Sequence, residues 1–290
     1  MELEPTGERL LTSMDNSTAI EHLHRYAIAI EFTKDKIVLD IASGEGYGSN
    51  LLSKHAKKVY GVDIDSIAVE VSKIKYKSEN LEFKVGRADT IPLQDNSIDV
   101  VISFETLEHH DKHEEMMKEI KRVLKADGIL IISTPEKKYY SDLKNYKNPF
   151  HIKELYSNEF KKLINGYFTN TEFYFQNIFN GSLIIPEENT FSFRNFDGDF
   201  NNINSDVQFV PMYLIAIASD ALLTRKTLLT TFDGKRIALK EQSEFITKIR
   251  KELKEEITKS VREEAIQWVM SSWSFRLGNT ILSPFKRFRK

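Results

Sequence analysis

The segment Asp40-Ile-Ala-Ser-Gly44-Glu-Gly46-Tyr-Gly48 decides the fold of this chain. The preceding residues Lys36–Ile41 (KIVLDI) are too short and too rich in β-branched side chains for a helix, so they predict a buried strand. A helix to about Lys57 is expected after the segment. Glycines between a strand and a helix let the backbone turn sharply and let a ligand approach without a Cβ in the way. The segment therefore predicts a ligand-binding turn, with a tight turn that binds nothing as the alternative.

Strands and helices alternate on both sides of this turn. A helix is expected over Thr18–Phe32, and Asp127-Gly128 is expected to end another that begins at His113. This alternation predicts an α/β fold with a doubly wound sheet and a parallel core. The elements expected after the turn are the strand Lys58–Ile64, the helix Ser66–Tyr76, the strands Leu81–Val85 and Ile98–Phe104, the helix His113–Leu124, the strand Ile129–Ser133, the helix Ser157–Asn165, and the strands Thr171–Ile178 and Met212–Ser219.

The chain divides into four regions on this pattern. Residues 1–35 are expected to form an N-terminal helical cap, and residues 36–220 the sheet domain. An insertion at about 179–208, rich in Asn, Phe and Asp, is expected to form a lid over that domain. Residues 240–270 contain no Gly or Pro, and their apolar positions recur every three or four residues, which predicts an amphipathic helix about 45 Å long. The basic and aromatic residues 271–290 form a tail.

Composition limits the chemistry and suggests a location. The chain has 290 residues and no cysteine, which excludes disulfides, thiolate metal sites and cysteine nucleophiles.

Residues 221–290 hold 16 Lys and Arg against 8 Asp and Glu, although the whole chain has a net charge of −2. A basic tail on an acidic body predicts an anionic partner for the tail. The N-terminus has no secretory pattern and no apolar run is long enough for a transmembrane helix. We therefore expect a cytoplasmic protein whose tail contacts the inner face of the membrane.

Two further carboxylates follow predicted strands. Asp63 ends the second strand, where a carboxylate can accept hydrogen bonds from both hydroxyls of a ribose. Asp89 lies just beyond the third strand, where it can accept from an adenine amino group. A nicotinamide dinucleotide is disfavoured, because the third glycine comes one residue too early for its fingerprint and Asp40 would add negative charge near two phosphates. An adenosyl ligand with a cationic sulfonium suits these acids better, although each alone is also common as a turn residue.

The segments DIASGEGYGS, YGVDID, GRADTIPLQDNSIDVVISFETLEHH and LKADGILIISTP resemble, in order and spacing, the class I S-adenosylmethionine-dependent methyltransferases. The resemblance covers about residues 20–220. It implies a Rossmann-like, mostly parallel sheet of seven strands whose last hairpin is antiparallel, followed here by the C-terminal amphipathic helix. It also implies S-adenosylmethionine as cofactor. The residues that it assigns to the cofactor are Asp40, Ser43, Gly44 and Gly46 for the methionine part, Asp63 for the ribose, Ile64, Ala88 and Asp89 for the adenine, and Ser103, Phe104 and Glu105 for the floor of the site.

Methyltransferases of bacterial lipopolysaccharide and other surface-polysaccharide assembly are the nearer resemblance. The matching segments are EHLHRYAIA, NPFHIKELYSNEF, MYLIAIAS and SWSFRLGNTILSPFKRF. They imply O-methylation of a sugar hydroxyl, with a saccharide or glycolipid as acceptor. A quinone precursor or an amine is the alternative acceptor, and a protein that keeps the fold without catalysis is a third hypothesis. A nucleic-acid substrate is disfavoured, because the body of the protein is acidic.

The region after the fourth strand supplies a candidate base. Glu105-Thr-Leu-Glu108-His109-His110 falls where the acceptor should bind, and histidine titrates near neutral pH. Related sugar O-methyltransferases use a histidine here, which implies His109 as general base, with His151 as second choice and a purely structural histidine as the alternative. Those relatives also place an acid after the fifth strand, where this chain has Ser133-Thr134-Pro135. No metal site is predicted. The tail is expected to contact a membrane or a partner protein, and the helix at 240–270 to allow oligomerisation.

Overall fold

The computed structural model describes residues 3, 9–13, 17–179, 181–187, 197–198, 203–204, 210–223, 229–274 and 276–277. Its helices are α1 Ser17–Ile30, α2 Tyr47–Ser53, α3 Ser66–Lys75, α4 His113–Val123, α5 Lys137–Tyr140, α6 Ser157–Asn165 and α7 Lys235–Ser271. Its strands are β1 Ile37–Ile41, β2 Lys58–Asp63, β3 Leu81–Val85, β4 Ile98–Phe104, β5 Leu124–Pro135, β6 Asn170–Ile178, β7 Ser182–Pro186, β8 Asp197–Gly198, β9 Ile203–Asn204, β10 Tyr213–Ser219 and β11 Thr230–Phe232.

The main sheet is doubly wound, which confirms the predicted fold class. Its strand order is β11-β7-β6-β10-β5-β4-β1-β2-β3, and the five strands from β5 to β3 are parallel. The chain leaves β1 toward β2 and β3 on one side and returns to β4 and β5 on the other. Between β1 and β4 the winding therefore reverses, and ligands of such folds bind beyond the carboxyl ends of the strands at this point.

The antiparallel side of the sheet is larger than predicted. β10 lies between β5 and β6 and is antiparallel to both, as the resemblance implied for the last hairpin. β7 and β11 then extend the sheet to nine strands among the described residues, where seven were expected. β7 lies at the start of the segment predicted to be a lid, and it pairs with β6 and β11 in the main sheet. Most of the remaining lid segment lies outside the described residues.

The boundary between α4 and β5 also differs from the prediction. The helix ends at Val123 and the strand begins at once with Leu124, so Asp127-Gly128 lies within β5 instead of ending the helix. The register shows why: Ile98 pairs with Leu124 but Val100 pairs with Ile129, so the residues between are accommodated in a bulge. A bulge of this kind bends a strand without ending it.

Helices cover both faces of the sheet and exclude water from it. On one face, α4 and α6 pack Met116, Met117, Ile120 and Phe160 against buried strand residues. On the other face, α1 and α2 contribute Tyr26, Ile28, Ala29 and Leu52. Parallel strands buried on both faces are expected to be almost continuously apolar, as β4 (IDVVISF) is.

A second compact unit, Leu239–Lys290, follows the first unit, Met1–Ala238. α7 supplies its regular structure, and its described residues include no buried one. Large apolar side chains are exposed along the helix, among them Ile246, Ile249, Leu253 and Ile257. Within the described part of the chain, no helix combines the length and apolar character needed to cross a bilayer. Most of the predicted basic-aromatic tail lies outside the described residues.

Candidate functional site

The turn after β1 adopts a backbone that side chains disfavour. Ala42, Gly44 and Gly46 all have positive φ, at 58°, 55° and 88°. At Gly46 a Cβ would lie 2.7 Å from the Phe83 ring, so glycine is required there for space as well as for conformation. The Gly46 amide donates to Ser43 O at 2.9 Å and α2 begins immediately afterwards. The turn therefore presents backbone groups at the carboxyl end of β1, as predicted.

Asp40 lies behind this turn. Its carboxylate is buried and accepts hydrogen bonds from Ser49 Oγ at 2.6 Å and from Tyr26 Oη at 3.2 Å. Burial raises its pKa to about 7, and the two hydrogen bonds partly oppose this. Tyr26 in turn lines the cavity described below, so Asp40 supports the site through its neighbours and does not line the cavity itself.

Asp63 connects the end of β2 to the turn. Its carboxylate accepts from the backbone amides of Gly44 at 2.7 Å and Asp65 at 2.9 Å. A carboxylate offers about four acceptor positions, so two of these hydrogen bonds leave capacity for the hydroxyls of a ribose. Ile64, which follows, is 61% exposed and so is accessible to a flat ligand.

Asp89 is held by two cations. Arg87 donates to it from Nε at 2.8 Å and Lys112 from Nζ at 2.8 Å, and these partners hold its pKa far below the usual range. Its neighbour Ala88 packs against the core. The Asp89 carboxylate already accepts hydrogen bonds from these two side chains, and an adenine amino group would have to share it with them. Asp89 is therefore less available than Asp63 to accept a hydrogen bond from a ligand.

One cavity of about 220 Å³ opens at the carboxyl ends of β1, β4 and β5. Six predicted site residues meet around it, whereas Asp40, Gly46, Asp63, Ile64, Ala88, Asp89 and Ser103 are not in its lining. The predicted residues in the lining are Ser43, Gly44, Phe104, Glu105, His109 and the second-choice base His151. Ser43 Oγ is buried and has no hydrogen-bond partner within the described part of the chain. An unsatisfied hydroxyl facing a cavity is what a polar ligand would complete.

Glu105 forms the floor of this cavity. Its φ is 51°, and its carboxylate accepts from Ser133 Oγ at 2.6 Å and lies 3.5 Å from Arg25. Arg25 is buried, donates to Gln176 at 2.8 Å and packs on the ring of Tyr213. Glu105 was predicted from the sequence but Arg25 was missed, because it lies beside His24 in α1 and no local pattern marked it as buried.

α1 contributes a polar stripe to the same cavity, which the sequence-based analysis also missed. Thr18, Glu21, His22 and Tyr26 line it. Their spacing of three or four residues is that of one helix face, and this was the signal that could have revealed them. Burial raises the pKa of Glu21 to about 7 and lowers the pKa of His22.

The short segment 9–13 covers the turn from the N-terminal side. Arg9 pairs with Asp65 at 3.0 Å, and the Thr12 amide donates to Glu45 at 3.0 Å. Lys75 also binds Glu45, at 2.7 Å. Arg9 reaches the cavity lining, so residues of the predicted N-terminal cap do form part of the site.

The far end of the cavity holds Glu108, His109 and His151. His109 Nδ1 lies 3.2 Å from the carbonyl oxygen of Phe150, and His151 Nδ1 lies 2.5 Å from Glu154 Oε1. The Glu108 carboxylate is buried, accepts from Thr134 Oγ1 at 3.0 Å, and lies 3.9 Å from His109 Nε2. The sequence-based analysis named both histidines as candidate bases but not Glu108. The structure brings all three together although 42 residues separate the two histidines.

S-adenosylmethionine fits this arrangement at the methionine and ribose ends. The unsatisfied Ser43 hydroxyl and the open turn suit its polar amino-acid part, and Asp63 lies beside the turn for the ribose. The cationic sulfonium would lie in a cavity that contains Glu21, Glu105 and Glu108. Opposite charge at short range stabilises a buried cation.

Comparison with known proteins finds similar sequences among methyltransferases. Residues 39–132 match a family model described as a methyltransferase domain. A probable S-adenosylmethionine-dependent methyltransferase of Mycobacterium tuberculosis is 33% identical over 162 residues, which cover 55% of this chain and 58% of that protein. A phthiotriol/phenolphthiotriol dimycocerosates methyltransferase of Mycobacterium ulcerans is 28% identical over 118 residues, or 40% of this chain and 43% of that protein. The chain thus spans less than two thirds of the curated relatives it matches.

A solved structure matches over a longer stretch. The crystal structure of the YcgJ protein of Bacillus subtilis superimposes with a TM-score of 0.51 and 20% identity, covering 68% of this chain and 97% of that one. At this identity the likeness concerns the fold. The doubly wound sheet with the glycine-rich turn between β1 and α2 is thus the Rossmann-like fold of these proteins, and residues 39–132 are similar to a methyltransferase domain.

Proposed function

We propose that this protein transfers a methyl group from S-adenosylmethionine to a hydroxyl oxygen of a small polar acceptor. One observation carries the proposal: a single cavity joins the turn at Ser43 and Gly44 to the histidines His109 and His151. Cofactor and acceptor can therefore meet in one space. In-line methyl transfer depends mainly on holding the two reactants in that geometry.

When bound, S-adenosylmethionine supplies an activated methyl group, which the acceptor oxygen takes while the carbon–sulfur bond breaks and its electron pair stays on sulfur. The chain's own residues orient the reactants and remove one proton. Because a carbonyl oxygen can only accept, His109 Nδ1 carries the hydrogen that is donated to Phe150 O. Nε2 is then the ring atom that can accept, and we assign to that atom the hydroxyl proton, which passes on to solvent.

A saccharide is the acceptor class that we favour. The cavity wall supplied by α1 consists of Thr18, Glu21, His22 and Tyr26. All four side chains carry groups that can form hydrogen bonds, as a ligand rich in hydroxyl groups requires. The role in surface-polysaccharide assembly rests on the sequence resemblance alone. The Mycobacterium ulcerans relative bears the name of a phthiotriol/phenolphthiotriol dimycocerosates methyltransferase, so non-saccharide acceptors such as a quinone precursor and an amine belong in the acceptor panel.

A transfer assay with radiolabelled cofactor tests the proposal. Full-length protein is incubated with extracted bacterial glycolipids, monosaccharides, a quinone precursor and a primary amine. Labelled product from the saccharide or glycolipid arms supports the acceptor assignment. Label in the amine or quinone arm alone would leave methyl transfer intact and remove the saccharide assignment. No transfer in any arm, together with no cofactor binding by calorimetry, would contradict the function itself.

We also propose that the tail brings the protein to an anionic membrane surface. Residues 271–290 carry five basic residues and no acidic one, together with several aromatic side chains. Basic residues near an anionic leaflet contribute about 1 kcal/mol each and aromatic side chains favour the interface. Co-sedimentation with anionic vesicles should decrease when the chain ends at Met270, and in high salt. Equal sedimentation of the two chains would contradict this proposal.

A further inference from the structure

We propose that Glu108, His109 and His151 bind a divalent first-row transition-metal ion at the acceptor end of the cavity. The inference rests on the proposed methyl transfer and refines the part that His109 plays in it. No metal was expected from the sequence, because Glu108 and His109 are adjacent in the chain whereas His151 lies far from them.

The spacing of the three side chains fits one ion. Each offers a ligand atom, and these atoms all lie within 4.8 Å of one another. Three ligands at about 2.1 Å from one ion lie about 3.4 Å apart in a tetrahedral site, so the set needs to contract by up to about 1.4 Å. The two imidazole rings lie edge to face with centroids 5.2 Å apart, so they do not stack against each other.

Both histidines are held in the orientation that metal ligands show. His109 Nδ1 faces the Phe150 carbonyl, and His151 Nδ1 faces the Glu154 carboxylate. Glu154 also accepts from Ser141 Oγ at 2.8 Å, which fixes it in turn. When Nδ1 donates to such an acceptor, Nε2 is left with the lone pair that a metal takes.

Glu108 supplies the negative charge. Its residue is 1% exposed, and the hydrogen bond from Thr134 engages one carboxylate oxygen while the other lies 3.9 Å from His109 Nε2. An ionised carboxylate at such a depth needs a cation or several donors to offset the loss of water. An ion between Glu108 and the histidines provides that charge.

The donor set indicates which ions fit. Two imidazoles with one carboxylate suit zinc, iron or manganese better than magnesium or calcium, which prefer oxygen ligands only. Three protein ligands leave positions open, as in metal sites that bind a substrate oxygen. An acceptor hydroxyl bound there would lose its proton to solvent more readily. The ion and the proton compete for the same Nε2 lone pair of His109, so the histidine is a ligand in the metal form and a base only without the metal.

Titration calorimetry of full-length protein, stripped with EDTA and then dialysed, tests the site with Zn²⁺ and, separately, Mn²⁺ as probes. We expect one ion per chain, with affinity at least about tenfold weaker in His151→Ala and in Glu108→Gln. His55→Ala, which changes an exposed histidine elsewhere, should bind like the wild type. The far-ultraviolet circular dichroism spectrum and the thermal midpoint, measured in parallel, report whether each variant is folded. Absence of ion binding in the wild type, or unchanged affinity in both variants, would overturn the inference.

Activity separates this inference from the proposed function. If the stripped enzyme loses methyl transfer and either ion restores it, the metal takes part in the reaction as inferred. Full activity after stripping, with no ion detected, would overturn the metal site and leave His109 as base. One bound ion that depends on Glu108 and His151, with no transfer to any acceptor, would support the site and contradict the proposed function.

Discussion

The carboxylate of Asp63 accepts hydrogen bonds from the amides of Gly44 and Asp65 and, in the proposed complex, from the ribose. Replacing Asp63 by Ala removes a charged acceptor, and such a hydrogen bond contributes about 1.5–3 kcal/mol. We therefore expect cofactor affinity to decrease about 10- to 150-fold, measured by calorimetry. Asp127→Ala, at an exposed acid, is the matched control. Unchanged affinity in Asp63→Ala would remove the ribose assignment.

His109 is placed to act on the acceptor and not on the cofactor. His109→Ala should slow methyl transfer by about 10²- to 10⁴-fold, the usual contribution of a group that handles the proton. Cofactor affinity should stay close to that of the wild type. Single-turnover rates with the active acceptor, alongside calorimetry, measure the two effects. A near-normal rate would mean that the histidine only supports the loop.

Glu21 gives the protein a characteristic pH dependence. Burial raises its pKa to about 7 in the folded protein, above the ordinary value of 4.5. The folded state therefore holds this proton more tightly, so stability is greatest below about pH 4.5 and decreases as the pH rises toward 7. We expect the free energy of unfolding in urea to decrease between pH 5.5 and 8 by roughly 1–3 kcal/mol more in the wild type than in Glu21→Gln. Parallel curves for the two proteins would contradict this assignment.

Most of the predicted site residues that line the cavity have neighbours in space that are also neighbours in the chain. Ser43 and Gly44 lie in one turn, and Phe104 and Glu105 follow one strand, so a local pattern was enough to place them in the cavity. Glu21, which was missed, and His151, which was predicted only as a second choice of base, reach the same cavity from α1 and from a loop after α5. Only the packing of distant elements brings them there, and one sequence contains no direct signal of that packing.

The turn between β1 and α2 depends on one glycine more than the others. Gly46 has a φ of 88°, and an added Cβ would lie 2.7 Å from Phe83 and 2.9 Å from Ser72 Oγ. Gly46→Ala should therefore destabilise the protein by about 1–3 kcal/mol and weaken cofactor binding. Gly166→Ala, at a helical backbone with φ −69°, should change stability by less than about 1 kcal/mol. Urea unfolding of both variants makes the comparison, and equal losses would mean that the turn tolerates a side chain.

Helices and strands were predicted with the right ends where a stretch of regularly spaced apolar residues was long or had clear flanking residues. β3 and β4 have the predicted ends, and α6 does also, because buried runs there are bounded by polar residues or turns. β7 and β11 were missed, since five and three residues are too few for a period to show. The extension of β5 was missed because a bulge hides Asp127-Gly128 inside a strand, where these residue types usually mark a turn.

For the whole molecule, the first unit contains its own core. Both clusters of buried apolar residues in the described part of the chain consist of residues of this unit alone. We expect a chain that ends at Ala238 to unfold with a thermal midpoint within about 2 °C of the full chain, since small changes in stability shift midpoints of domains this size only slightly. Calorimetric scans of both chains measure this. A decrease of several degrees would mean that the second unit stabilises the first.

The position of β10 has a consequence for synthesis on the ribosome. β10 is the last long strand among the described residues, yet it fills the gap between β5 and β6 along its whole length, from Tyr213 to Ser219. Until these residues emerge, β5 has no partner on its outer side, and the β6–β7 hairpin has no sheet to join. Unpaired edges of this kind readily associate with other chains. The nascent protein therefore has two unpaired, aggregation-prone strand edges while the nearly 80 residues after β5 are synthesised. It is during this interval that a chaperone would be needed most.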